Sequence, residues 1–572
     1  MLINFDNGGQ FVRKKTYAIV ILVLKMLSIG GIFSEKPVYM CDSEIYCRGP
    51  ILEAVHRLHI YPDSKDYVDM PLKFSPNETL DAFNITFPDK ENITKEALQN
   101  FIDEYFHPPS RAYEINKLWL QLCKEVNSSV ALYPDRYSML YVPYPFIIPG
   151  GRFREFYNWD TYWIELGLLY SGMYNTTKHI IKNFSYLVER YGLVPNGGRT
   201  YYLSRSHPPM FIPMVYRFYQ EKRDQRQFVL SLLPSLEKEL RFWINNRSTN
   251  YRLDDSRTLP VFHYDTRTNV PRPESYFEDV ATAINKTESE KPLLYKNIAA
   301  AAETGWDFTS RFFEDKLRLS SAVTQRIWPV DLNAYMCQNY FMLSELFKMT
   351  GNQKKAAIYE EEYEKMRSLM MTLFYNETVG SWFDYDSQIG QHNTNFYTSN
   401  LMPLYANCYT FVEDKMYEKT MKYFENSGAD NYPNGIPVSL LKTGQQWDLP
   451  NMFPNLNHMI IEGFERTGHV GLKQLALKIA DELLRDIYLL YQNTSSMYEK
   501  YNVEAPQRAG GGGEYDVQVG FGWTNGVVLD LLRQYGDRLF YNGTSTLTTT
   551  TLAPRPSSGV FSVSVGDLRL KT

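Results

Sequence analysis

The segment Asp160-Thr-Tyr-Trp-Ile-Glu-Leu-Gly-Leu-Leu-Tyr-Ser-Gly172 carries a helical apolar pattern, with Trp163, Leu166, Leu168 and Leu169 inside it. A glycine turn follows. The chain then returns as a second helix to Tyr191 and ends in the loop Gly192-Leu-Val-Pro-Asn-Gly-Gly198. The same unit recurs. Leu332 to Tyr375 turns at Thr350-Gly351-Asn352 and leads to the loop Gly380-Ser-Trp-Phe-Asp-Tyr-Asp386. Asn457 to Tyr491 turns at Thr467-Gly468-His469 and leads to Met497-Tyr-Glu-Lys-Tyr501. Its second helix gathers Leu472, Leu475, Ala476, Ile479, Leu483 and Ile487 on one apolar face. Pro213 to Asn245 adds two more helices. Repeated helical hairpins point to an all-α toroid or solenoid, and their irregular period favours a closed barrel over an open array. Loops that always follow second helices should gather on one rim.

The stretch before the first hairpin, Pro149-Gly150-Gly151-Arg152-Phe153-Arg154-Glu155-Phe156-Tyr157-Asn158-Trp159, is crowded with charge and aromatic rings. Arginine forks and carboxylates bind hydroxyls, and ring faces cover the C–H patches of a sugar. The chain has 572 residues, 44% of them apolar, enough for a large core, and 44 are tyrosines, which suit wet, ring-lined pockets. A net charge of −5 argues against nucleic acid as the main partner.

Toward the N-terminus, Arg13-Lys14-Lys15 precedes the apolar run from Tyr17 to Leu24; Lys25 interrupts it before Met26 to Phe33. Residues 1–34 therefore read as a signal peptide ending near Ser34, with a retained signal anchor as the alternative, and membrane contact is expected only if this segment stays. Sequons begin at Asn77, Asn84, Asn92, Asn127, Asn175, Asn183, Asn246, Asn285, Asn376, Asn493 and Asn542, as in an exported glycoprotein. Cys41 and Cys47 are spaced for a small loop disulfide, while Cys123, Cys337 and Cys408 are scattered. Helices are expected over Ile51–Ile60, Ala97–Phe106 and Tyr113–Val126, with loop over 61–95. The Thr-, Ser- and Pro-rich tail, 545–572, reads as disordered.

The chain has no HExxH, no CxxC and no calcium loop, so no catalytic metal is expected. Gly510-Gly-Gly-Gly513 lacks the Lys-Ser/Thr of a phosphate loop; with Glu514 and Tyr515 after it, it suits a backbone wrapped closely round a ligand. The chemistry then rests on carboxylates beside rings. Asp307 lies in Glu303-Thr-Gly-Trp-Asp-Phe-Thr-Ser-Arg311, Asp448 in Gln445-Gln-Trp-Asp-Leu-Pro-Asn451, and Glu499 in the loop after the last hairpin. Burial against rings raises a carboxyl pKa, as a general acid needs, and a nearby arginine such as Arg311 lowers it. Glycosidases work with two such groups across the scissile bond.

These motifs resemble a known family. Pro149 to Tyr162 resembles the first trehalase signature, Gln446-Trp-Asp-Leu-Pro-Asn451 the second, and the glycine run with Glu514 and Tyr515 the family's glycine-rich segment, all in the family's order. The resemblance spans about Cys47 to Gly526. It implies an (α/α)6 barrel over residues 35–544 with an N-terminal extension, and hydrolysis of α,α-trehalose to two glucoses with inversion and no cofactor. By the same resemblance, Asp307 corresponds to the general acid and Glu499 to the general base. Substrate binding would fall to Arg152, Trp159, Asp160, Asn196, Arg205, Ser206, His207, Arg272, Glu274, Gly305 and Glu514. The chain departs from the family pattern at three places. Phe453 stands near a usual tryptophan, His207 replaces a common glutamine and should add a pH dependence, and Asn502 replaces a usual aspartate. A glycosidase for another α-glucoside and a catalytically silent sugar binder are the competing readings. The oligomeric state is left open.

Overall fold

A helix that buries residues on every face must be enclosed by other helices. In the computed structural model Asp160–Tyr170 is such a helix, with every residue from Asp160 to Leu169 buried. The structure describes residues 44–45, 49–61, 67, 70, 72–106, 118–253, 258–410 and 414–539. The expected leader, the Cys41–Cys47 pair, the Asn542 sequon and the tail lie outside these residues. The chain divides into two compact units, Met1–Arg111 and Ala112–Thr572.

In the second unit Asp160–Tyr170 packs on Phe211–Glu221, which packs on Val330–Thr350. Met402–Tyr405, Pro454–Arg466 and Gly522–Tyr535 continue the series, and the last lies against Asp160–Tyr170. The inner ring therefore closes, which makes the unit a toroid and not an open solenoid. Tyr174–Tyr191, Arg226–Asn246, Gln353–Leu369, Asp414–Ser427 and Val470–Thr494 pack outside it, each turning an apolar face inward. Tyr174–Tyr191, for example, buries Ile180, Ile181, Phe184, Leu187 and Val188, and ends on Gly192 at φ 86°, a left-handed cap open to glycine. The expected hairpin turns fall where the glycines placed them.

The closing seam is narrow. A Cβ on Gly526 would lie 1.8 Å from the Trp163 carbonyl oxygen, and one on Gly167 would lie 2.9 Å from the Gly526 Cα. Glycine at both positions lets the two backbones touch.

The sequence reading missed several elements. Residues 61–95 were expected as loop, yet Pro76–Thr86 is a helix. Ser75 and Glu78 form a reciprocal capping box at its start, the S-x-x-E pattern that a reading dominated by Asp, Pro and Asn passes over. The expected helix from Tyr113 to Val126 does not last: Cys123–Lys124 pairs as a strand with Phe146–Ile147. Among the described residues the longest strands are also unforeseen, an antiparallel pair of Ser248–Arg252 with Thr258–Phe262. In the first unit, Pro50–Arg57 and Lys95–Tyr105 match the other two expected helices within a few residues. Ile51, Val55, Phe83, Leu98, Phe101 and Ile102 form the core of that unit.

Cys337 and Cys408 form a disulfide with Cα atoms 6.1 Å apart, and Cys123 is exposed and free. A buried ion network fills part of the ring's interior. Trp163 Nε1 donates to His458 Nδ1 at 3.3 Å, so the other ring nitrogen carries the proton it gives to Asp530. Arg217 lies 3.8 Å from both Glu462 and Asp530, and Arg466 pairs with Glu462. His458, Glu462 and Asp530 stand close enough to hold a metal ion, but protein cations already partner both carboxylates.

Candidate active site

The proposed catalytic loops meet over the N-terminal ends of three inner helices, where Trp159, Phe453 and Trp523 stand one residue before or just inside each helix start. These rings form a continuous floor. Trp159 lies 5.9 Å from Trp447 and 6.1 Å from Trp523, and Trp447 stacks on Phe453 at 3.6 Å with an interplanar angle of 3°. Phe453, the departure from the family pattern, thus supplies an aromatic face by stacking in the core of the floor.

Asp307 follows the helix Lys291–Glu303 through Gly305. Gly305 has φ +76°, and a Cβ there would come within 2.8 Å of the Trp159 ring, so only glycine admits this approach. Trp306 stacks on Trp447 at 5.7 Å, and the Arg272 guanidinium lies 4.9 Å above the Phe308 ring. Asp307 is therefore flanked by rings that are themselves pinned. Asp307 keeps part of its surface open, while burial of its carboxyl group raises its pKa to about 7. The Glu514 charge adds to that rise, and Arg272 and Arg205 oppose it.

Arg311, the arginine nearest in sequence, takes no part in this. Its Nη1 and Nη2 grip Asp331 at 2.8 and 2.6 Å, and its Nε and Nη2 grip Asp384 at 2.7 Å each. Asp448, a candidate beside its own tryptophan, is likewise a scaffold residue. It accepts from the Thr309 hydroxyl at 3.0 Å, the Ser310 N–H and hydroxyl at 2.8 Å each, Ser439 at 2.7 Å and Thr443 at 2.6 Å. A carboxylate saturated by five donors holds loops together and has no lone pair left for a ligand.

Glu499 is buried, and donors surround its carboxylate. The Tyr515 hydroxyl donates to Oε1 at 2.9 Å, the Gln518 N–H to Oε2 at 3.4 Å, and Lys500 Nζ stands 3.5 Å from Oε2. Trp523 Nε1 fixes the Glu499 carbonyl at 2.9 Å. Both candidate carboxylates face one centre, because Asp160, Lys500 and Tyr515 each feel the charges of Asp307 and Glu499 together. Asp160, the first residue of its inner helix, is pushed up to about 8 by burial, with Glu499 and Asp307 adding to the rise.

The second signature binds the Asp307 loop to the Glu499 loop. Trp447 N–H donates to the Phe308 carbonyl at 3.0 Å, and Gln446 Nε2 donates to the Asp307 carbonyl. Asn451–Met452 pairs antiparallel with Tyr501–Asn502. The glycine run packs against this segment. A Cβ on Gly510 would meet Asn451 Oδ1 at 2.5 Å, and one on Gly512 would meet the Gly444 carbonyl at 2.6 Å. Its close approach is therefore to the protein's own second signature, where a ligand was the expected neighbour. Asn502, the third departure, caps a turn, accepting from the N–H groups of Glu504 at 2.9 Å and Ala505 at 3.0 Å.

On the other side, Arg205 pairs with Glu274, and Arg272 is clasped by Asp279 and Glu514, the closest contacts being 2.6 and 2.9 Å. Ser275 adds a donor to Glu514 at 3.2 Å. Burial raises the Glu514 pKa against the pull of Arg272, whereas in Glu274 Arg205 and Arg272 outweigh burial and hold the pKa low. Asn196 gives its Nδ2 to the Ser206 carbonyl at 3.2 Å, and Ser206 N–H donates to Glu303 at 2.9 Å. Burial, helped by Arg205, lowers the His207 pKa well below the usual range and so favours the neutral ring. Arg152 is exposed, with its guanidinium 4.6 Å above the Tyr515 ring. Arg205 Nε, His207 Nδ1 and Glu274 Oε2 are buried and have no hydrogen-bond partner among the described residues.

Three residues of this centre carried no role in the sequence reading: Asp279, Lys500 and Tyr515. Tyr515 sits in a motif the sequence displays, whereas Asp279 has no local signal and matters only because Arg272 folds onto it.

The trehalase family model matches residues 107–536 of this chain. Human trehalase is 38% identical over 557 residues, covering 92% of this chain and 94% of the relative. The trehalase of Apis mellifera is 36% identical over 559 residues, covering 92% and 88%. Among solved structures, the neutral trehalase of Saccharomyces cerevisiae superposes with a TM-score of 0.58 at 17% identity over 73% of this chain and 94% of that one, a likeness of fold.

Proposed function

This chain belongs to the trehalase family and is a glycoside hydrolase that splits α,α-trehalose into two glucoses, and from that premise we propose Asp307 as its general acid and Glu499 as its general base. Asp307 gives its proton to the bridging oxygen as the C1–O bond breaks. Glu499 takes a proton from a water that attacks the same C1 from the opposite face. The attacked sugar leaves as β-glucose and its partner as α-glucose. The observation that carries this assignment is the contrast between the two groups: burial keeps Asp307 in the proton-bearing form up to about pH 7, while Glu499 meets donors alone. Arg205 Nε, His207 Nδ1 and Glu274 Oε2 would find their missing partners in sugar hydroxyls, in company with Arg152, Asn196, Arg272 and Glu514. Trp159 would cover a sugar face.

A proton NMR time course with trehalose tests this reading. Equal initial α- and β-glucose, recorded before mutarotation, is the expected result, and α-glucose alone would mean retention and would remove Glu499 from its role. The pH dependence offers a second check. The acid form of Asp307 exists below its raised pKa of about 7 and disappears above it, so kcat/KM should fall as pH rises through about 7. A rate that stays flat to pH 9 would overturn the assignment of Asp307.

We also propose that the protein is secreted or held at the extracellular face of the membrane. The N-terminal apolar run and the sequons support this, as does the Cys337–Cys408 disulfide. The sequons at Asn77, Asn84, Asn92, Asn127, Asn175, Asn246, Asn285 and Asn493 are exposed. Asn183 is buried and bonds both the N–H and the carbonyl of Tyr144, at 3.0 and 2.8 Å. Glycopeptide mapping of exported protein should find sugar among the exposed sites and none on Asn183.

A further inference from the structure

We propose that Lys500 is a positioning residue that couples the general acid to the general base and compensates the charge that moves between them. This rests on the assignment of Asp307 and Glu499 made above. Lys500 is completely buried, a rare setting for an ammonium group, and one that needs partners. Its partners lie on two sides. Nζ donates to Gln446 Oε1 and stands 3.5 Å from Glu499 Oε2, with the Tyr515 ring 5.1 Å away. Gln446, itself buried, turns its other end to the Asp307 carbonyl. An unbroken chain therefore runs from the backbone of the acid through Gln446 and Lys500 to the carboxylate of the base. The fold makes room for it: a Cβ on Gly510 would lie 2.8 Å from Lys500 Cγ, and Gly510 N–H donates to the Lys500 carbonyl at 2.9 Å.

The reaction explains what a cation does there. Before turnover the negative charge resides on Glu499 and the proton on Asp307. Afterwards Glu499 holds the proton taken from water and Asp307 holds the charge. Burial lowers the Lys500 pKa, and the charges of Glu499 and Asp307 oppose that fall, so whichever carboxylate carries the negative charge helps to keep the ammonium form facing it. The Gln446 link also holds the spacing of the two groups, on which a displacement through water depends.

The test is Lys500→Met in the full chain, which removes the charge and keeps an unbranched side chain. The expected result is a fall in kcat of about 10²-fold, the loss that a small misplacement produces, with KM for trehalose changed by less than about threefold. Gln446→Leu breaks the link but leaves the cation; kcat should fall with KM little changed, and the double variant should cost no more than Lys500→Met alone. If Lys500→Met does not fold, Gln446→Leu decides, and unchanged kcat in that variant overturns the coupling. Unchanged kcat in folded Lys500→Met, or a loss carried by KM in place of kcat, overturns the proposal. Asp307→Asn and Glu499→Gln, measured alongside, separate the two failures: if they abolish turnover while Lys500→Met does not, only the role of Lys500 falls.

Discussion

Asp307→Asn is expected to lower kcat by about 10⁴-fold, the upper range for a general acid, while KM for trehalose changes by less than about threefold. The substitution keeps size and polarity but removes the transferable proton. The surroundings that raise the Asp307 pKa to about 7 also hold the side chain in place, since Trp306 is stacked on Trp447 and Gly305 is wedged against Trp159. An amide there should bind the disaccharide nearly as well as the acid does. Glu499→Gln should behave alike. The pH profile divides the two roles, because the basic limb near pH 7 belongs to Asp307. Steady-state kinetics with a direct binding measurement on the inactive variants checks the point. Strong loss of binding in Asp307→Asn would make the residue a ligand anchor and end its role as acid.

Gly526→Ala is expected to destabilise the catalytic unit by about 3 kcal/mol, the upper part of the usual range for overpacking. The added Cβ would sit 1.8 Å from the Trp163 carbonyl oxygen, which belongs to the backbone of a fully buried helix and cannot turn aside. The inner helices Asp160–Tyr170 and Gly522–Tyr535 would have to part at the seam that closes the ring. Trp159, Asp160 and Trp523 stand at the near ends of those helices, so activity should fall with stability. Gly511→Ala is the control, because a Cβ there meets nothing within 4 Å. Urea or thermal unfolding of the two variants compares them. Equal midpoints for Gly526→Ala and the unaltered protein would show that the helices separate at little cost.

Much of the architecture was legible beforehand because it is written locally. Leu472, Leu475, Ala476, Ile479 and Leu483 repeat at helical spacing whatever surrounds them, and the turns at Gly172, Gly351 and Gly468 need no distant partner. The family motifs are contiguous, so the resemblance could be carried to Asp307 and Glu499 in the short ring-rich stretches Glu303–Arg311 and Met497–Tyr501. The overlooked helix Pro76–Thr86 shows the limit of composition, since a short capping box outweighed a polar setting.

The sequence by itself determined helical hairpins, the rim that carries the loops, and the candidate acid and base. The tertiary structure alone decided which charges serve the centre. Arg311 lies four residues from Asp307 and was expected to act on it, but Asp331 and Asp384 hold it in the scaffold, while Arg272 and Arg205 act on Asp307 from other loops. Asp448 resembled Asp307 in its aromatic setting until five donors converged on it. The glycine run came to rest on Gly444 and Asn451. The reason is that burial and Coulomb interaction depend on distance in space. A carboxylate's charge and proton are set by what folds against it, and in this chain those partners come from loops tens to hundreds of residues away.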